Sequence, residues 1–246
     1  MPRLTSTTIS NNVGHFGFSS IRPEEAAERA SEYTLVSIAV DCSGSVSPFQ
    51  QDLEEMLKNI ISSCLLSPRA ENLLVRVLTF SSAANEIHGF KFLGEINVDD
   101  YANTINASGS TALYDACVNS IEALNNFGND LLNKELQVNG ALYVITDGLD
   151  NQSKLSPGRI KQLLSQSITE EKLESLVSIL IGVNVQDNYV ESTLKGLSTD
   201  AGFTSYIQVK DATPKSLAKL GGFISKSISV QSNNIGNRTP SVPLTF

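Results

Sequence analysis

A chain of 246 residues, 41% of them hydrophobic and 18% charged, is long enough for one generous α/β domain with its own core. Its formal charge of −8, with no Lys/Arg cluster beyond a local pair, excludes the basic stripe by which a nucleic-acid binder displaces counterions. No run approaches the roughly eighteen consecutive apolar residues of a membrane-spanning helix, so no membrane partner is expected.

Residues 1–22 are polar and irregular, with Phe16 and Phe18 able to tuck against the body, and the opening MPRLTSTTISNNVG lacks the apolar core of a signal peptide. Residues 1–32 are therefore expected to form an N-terminal arm, with no export. At Pro23-Glu24-Glu25 a short helix begins, proline in its first turn and acids at its positive end. Apolar runs then recur at about 34–41, 73–80, 141–147, 175–183 and 203–209, most of them uninterrupted, as in strands buried on both faces of a mostly parallel sheet. HGFKFLGEI, residues 88–96, reads as a short edge strand.

Between the runs lie helical stripes. Residues 48–66, opened by Pro48, align Leu53, Met56, Leu57, Ile60, Ile61 and Cys64, and residues 112–127 align Leu113, Ala116, Cys117, Ser120, Ile121 and Leu124. Thr213-Pro214 caps a last helix whose inner face is Leu217, Leu220, Phe223, Ile224 and Ile228. Strand and helix alternating in this way predict a doubly wound α/β domain over 33–230, followed by a surface or mobile tail at 231–246. The three cysteines, Cys42, Cys64 and Cys117, are odd in number and widely spaced, as in reduced, buried thiols of a cytoplasmic protein.

The chemistry concentrates in VDCSGSVS. Taken alone, Asp41-Cys42-Ser43-Gly44-Ser45 is also what a loop needs to cap the next helix. Three observations weigh against that reading. The motif sits at the carboxyl end of the first core strand, where ligand sites form in open α/β sheets. A second loop, ASGSTALYDA, puts Thr111 just before a helix, and the run ALYVIT also ends in an aspartate, Asp147. Asp41, Ser43, Ser45, Thr111 and Asp147 thus leave one sheet edge as five oxygen side chains without His or Cys. That set suits a hard cation, Mg²⁺ first, with Mn²⁺ or Ca²⁺ as competitors. Neutral hydroxyls and only two carboxylates leave such a cation seeking one more anionic ligand.

Asp41-x-Ser43-x-Ser45, with Thr111 in GSTALYDA and Asp147 in ITDG, resembles the metal-ion-dependent adhesion site of von Willebrand factor type A domains, also called integrin inserted-domain-like. All five positions are present in order, and the resemblance covers about 33–230. It implies a six-stranded sheet of order 3-2-1-4-5-6, mostly parallel with one short antiparallel edge strand and helices on both faces. It implies that Ser43, Ser45 and Thr111 bind the metal directly while Asp41 and Asp147 support them, and that the chain is of the compact, bacterial, intracellular type. Asp150 and Asn151 are alternative ligands on the third loop, and Asp115 reads as a structural hydrogen-bond acceptor.

Enzyme readings fare worse. A Mg²⁺-dependent phosphohydrolase of the haloacid dehalogenase type needs a second aspartate where this chain has Ser43. A Ser-His-Asp hydrolase needs a histidine near its serine, yet His15 and His88 lie elsewhere and no GxSxG elbow occurs. No phosphate-binding Gly-Lys-Ser/Thr loop is present. The expected function is a non-enzymatic, cation-dependent protein-binding module whose partner supplies an Asp or Glu. The alternatives are the phosphohydrolase and a structural subunit that does not use the metal.

Overall fold

A computed structural model describes residues 8–13, 16–235 and 244–246. Strand β3 (Glu32–Asp41) is buried along almost its whole length. Its neighbours β4 (Leu73–Phe80) and β6 (Gln137–Thr146) pair with it in parallel on either side. β7 (Ser175–Val183) and β8 (Ser205–Val209) extend the parallel ladder beyond β6. On the other side, β5 (Ala84–Phe92) pairs antiparallel with β4.

Those six strands stand in the expected order, but the expectation of a six-stranded, mostly parallel sheet is corrected. The sheet has eight strands and is mixed, because β1 (Thr8–Val13) and β2 (Phe16–Ile21) form an antiparallel hairpin that joins it beside β5. Within the segment read as an irregular arm, residues 8–13 and 16–21 are thus part of the sheet, and β5 is an interior strand of nine residues rather than a short edge. His15 lies outside the described residues, as do the tail residues 236–243.

Among the described residues six helices cover the two faces. Helices α1 (Pro23–Ala27), α3 (Leu113–Leu132), α4 (Pro157–Thr169) and α5 (Asn188–Ala201) pack with Leu35, Ala39, Leu74, Leu78, Leu142 and Val144. Helices α2 (Gln50–Leu65) and α6 (Pro214–Asn233) pack with the alternate residues Val36, Ile38, Val40, Val75 and Val77. This is the two-sided burial that continuous apolar strands require. Pro48 lies in a 3₁₀ turn at Gly44–Phe49, so α2 starts at Gln50. α6 runs to Asn233, past the expected start of the tail. Among the described residues no helix is long and apolar enough to cross a membrane.

The hairpin docks by close approach and by charge. A β-carbon on Gly89 would stand 2.0 Å from the Ser19 carbonyl oxygen, so only glycine lets the two backbones meet there. The Glu86 carboxylate accepts from the Ser19 amide at 3.0 Å and from the Ser19 hydroxyl. Arg76, 1% exposed, donates from Nε to Glu86 at 2.6 Å and from Nη2 to Asn119 Oδ1 at 2.7 Å. One partly buried ion pair therefore joins β2, β4, β5 and α3.

Candidate metal centre

Asp41 closes β3 at the carboxyl edge of the sheet, where it is 1% exposed. Its Oδ1 accepts from the Ser43 amide at 2.8 Å, which folds the chain back at once and turns Ser43 and Ser45 toward the same spot. Its Oδ2 accepts from the Thr146 hydroxyl at 2.6 Å, so both carboxylate oxygens are engaged by the protein. The Ser43 and Ser45 hydroxyls lie 3.1 Å apart, and Ser45 Oγ donates to Asp147 Oδ1 at 2.9 Å. Four of the five expected residues are thus joined in one hydrogen-bonded cluster spanning the loops after β3 and β6.

Thr111 arrives on the long loop that precedes α3. That loop is zipped to the first one through backbone bonds from Gly44 N to Gly109 O and from Ser108 N to Cys42 O. Gly109 has φ +76°, a left-handed conformation that glycine adopts without strain, and its carbonyl receives the Gly44 bond. Asn151 then clamps Thr111 from the third loop. Its Oδ1 accepts from the Thr111 amide at 2.8 Å, and its own amide donates to the Thr111 carbonyl at 3.0 Å. Thr111 itself is buried, two residues before α3 begins.

The alternative third-loop ligands have structural tasks. The Asp150 carboxylate accepts from the Tyr114 amide at 3.3 Å and from the Ser153 hydroxyl, while Asn151 is the Thr111 clamp. Asp115 accepts from the amides of Lys154 and Leu155, the structural role its position suggests. Sequence reasoning missed Thr146, whose only signal is a hydroxyl directly before the strand-ending aspartate. It also missed the backbone clamp of Asn151, which no residue pattern announces.

Electrostatically the cluster is strained. Burial raises the Asp41 carboxyl above its ordinary range. Burial and then the nearby Asp41 charge push Asp147 up to about 6, against the lowering effect of the Ser45 hydrogen bond. Two carboxylates beside the hydroxyls of Ser43, Ser45 and Thr146 fit a hard, oxygen-loving cation, which would relieve that mutual repulsion. Among the described residues no group of three or more His, Cys, Asp or Glu side chains is placed to hold a metal. A cation here therefore relies on hydroxyls as well as carboxylates. Along the same sheet edge, a cavity of about 490 Å³ is lined by Val185, Gln186, Asn188, Gln208 and Lys210. Tyr189, 72% exposed, stands on the first turn of α5 nearby.

No protein-family model matches the sequence, and no curated protein matches it significantly. Solved structures do share its fold. The PilB minor pilin from Streptococcus sanguinis aligns with a TM-score of 0.58 at 16% identity, over 82% of this chain and 62% of that one. A von Willebrand factor type A protein from Catenulispora acidiphila aligns with a TM-score of 0.54 at 12% identity, over 93% and 46%. Proximal thread matrix protein 1 from the mussel byssus, in a form with a zinc-occupied adhesion-site motif, aligns with a TM-score of 0.54 at 18% identity, over 81% and 46%. The chain thus spans about half to three fifths of the length of these proteins. The fold is like that of von Willebrand factor type A domains.

Proposed function

We propose that this chain is a protein-binding module that works through a divalent cation, Mg²⁺ first and Mn²⁺ or Ca²⁺ as alternates. An Asp or Glu of the partner completes the ligand set. The observation that carries the reading is the convergence of Asp41, Ser43, Ser45 and Asp147 on one spot, with Thr111 tied in by its backbone. The hydroxyls of Ser43, Ser45 and Thr111 are the direct ligands. Asp41, whose oxygens are already engaged by Ser43 and Thr146, supports them together with Asp147. When bound, the cation supplies positive charge that neutral hydroxyls leave under-compensated, which lets an acidic protein dock an acidic residue. The zinc-bearing motif of the byssus protein supports the metal side of this reading, and the free, buried Cys42, Cys64 and Cys117 support a cytoplasmic setting.

The test is affinity capture from cell extract with and without EDTA, alongside titration calorimetry with Mg²⁺. Binding heat for Mg²⁺ and a captured protein lost on chelation are expected, and Thr111→Ala should lose both while its circular dichroism stays unchanged. Capture indifferent to EDTA would sink the reading. The phosphohydrolase alternative predicts turnover of a generic phosphate ester that depends on Asp41. With Ser43 where that chemistry needs a second aspartate, no turnover is expected.

A further inference from the structure

We infer that one ordered water molecule is held between α3 and the sheet, in a site walled by Ser37, Arg76 and Ser120. All three side chains are buried, at 0%, 1% and 0% exposure. Ser37 on β3 and Arg76 on β4 are direct partners across the parallel ladder, so they rise from the same sheet face with their backbones about 5 Å apart. That face belongs to α3. The residues two positions away, Leu35, Ala39, Leu74 and Leu78, share one apolar cluster with Cys117 and Leu124 of the helix. Ser120 lies on the same helical stripe as Cys117 and Leu124, and its neighbour Asn119 accepts from Arg76 Nη2 at 2.7 Å. The guanidinium is therefore anchored to α3 at the residue next to Ser120.

Three polar atoms of these side chains have no partner in the protein: Arg76 Nη1, Ser37 Oγ and Ser120 Oγ. Leaving a buried donor unsatisfied costs more than immobilising a water that satisfies it. A water needs two to four polar partners, and this site offers three. It accepts from Arg76 Nη1–H and from one serine hydroxyl, and donates to the other serine. A bound anion is the weaker occupant, because Glu86 already neutralises Arg76 at 2.6 Å and a second negative charge would be buried without compensation.

The site is tested by a high-resolution crystal structure of the full chain, with one crystal soaked in sodium bromide. A single water peak within hydrogen-bond distance of all three atoms, without an anomalous bromine signal, is expected. Ser37→Ala/Ser120→Ala should remain folded and lose the peak. In solution, a long-lived water cross-peak to the backbone amides around Ser37 and Arg76 should be present in the parent protein and absent in the double variant. A direct bond between Arg76 Nη1 and a serine hydroxyl with no peak, a bromide ion in the site, or no such cross-peak in the parent would each overturn the inference.

Discussion

At the scale of single residues, the carboxyl edge of the sheet trades stability for charge. Asp147 is held at a pKa of about 6 by burial and by Asp41, so the ionised form present at neutral pH is disfavoured by the fold. Asp147→Asn should therefore stabilise the cation-free protein by about 1–2 kcal/mol, after allowance for solvent screening, which is a melting-temperature gain of roughly 2–6 °C. The same variant should lose the stabilisation by Mg²⁺ expected of the parent. Scanning calorimetry in EDTA and in Mg²⁺ checks both, and a variant less stable than the parent in EDTA would refute the electrostatic account. Asn151 contributes differently, through the Thr111 backbone. Asn151→Ala should weaken Mg²⁺ binding by roughly ten-fold, the usual effect of removing an outer support, while Asn151→Asp keeps an acceptor for the Thr111 amide and keeps most of the affinity. Equal losses in the two variants, read by calorimetry, would argue against the clamp.

At the scale of elements, the five parallel strands and the loop bearing Asp41, Ser43 and Ser45 were legible in the sequence, because buried parallel strands announce themselves as unbroken Val, Ile and Leu runs. The antiparallel β5, ANEIHGFKF, is not such a run and was expected farther along the chain as a short edge. The hairpin was not. TISNNV carries Thr, Ser and Asn on an outer strand whose side chains from Thr8 to Asn12 are exposed or half-buried, so no apolar alternation marks it. In FGFSSI the buried positions are Phe18, Ser20 and Ile21, a pattern that breaks period two. What fixes the hairpin is tertiary: the Glu86–Arg76 pair and the close approach at Gly89. The third-loop clamp was equally silent, since its bonds run to backbone atoms rather than to a recognisable set of side chains. Gly89→Ala should accordingly cost about 1–3 kcal/mol, the usual effect of forcing atoms into a packed contact. Urea unfolding measures the loss, and limited proteolysis should cut first between residues 8 and 21. An unchanged urea midpoint would mean that β2 and β5 do not meet as closely as described.

At the scale of the whole molecule, acid should unfold this protein partly through one buried histidine. His88 lies beneath the β5 ladder, where Nδ1 donates to the Gly89 carbonyl at 2.9 Å and Nε2 accepts from the Tyr101 hydroxyl at 2.6 Å. Burial lowers its pKa to about 4, and the charges of Lys91 and Arg76 act in the same direction. The unfolded chain takes up this proton near pH 6.5, whereas the folded one resists until about pH 4. The His88 contribution is therefore complete above pH 6.5 and is lost as the pH falls toward 4, by about 3 kcal/mol in all. The difference between the parent and His88→Gln in urea stability, followed in EDTA from pH 7 to pH 4.5, should shrink on acidification. A difference that stays constant would show that His88 is not the titrating group.

The zipped loops carry one more consequence, for time rather than for affinity. Gly44, Ser108, Thr111 and Asn151 already exchange backbone hydrogen bonds across the three loops, and Ser45 already reaches Asp147. On the proposed function, an arriving ion would meet a finished seat, with little chain left to order. The pace of loading then belongs to the ion. Mg²⁺, which sheds its hydration shell reluctantly, should enter more slowly than the larger and less demanding Ca²⁺, whatever their relative strengths of binding.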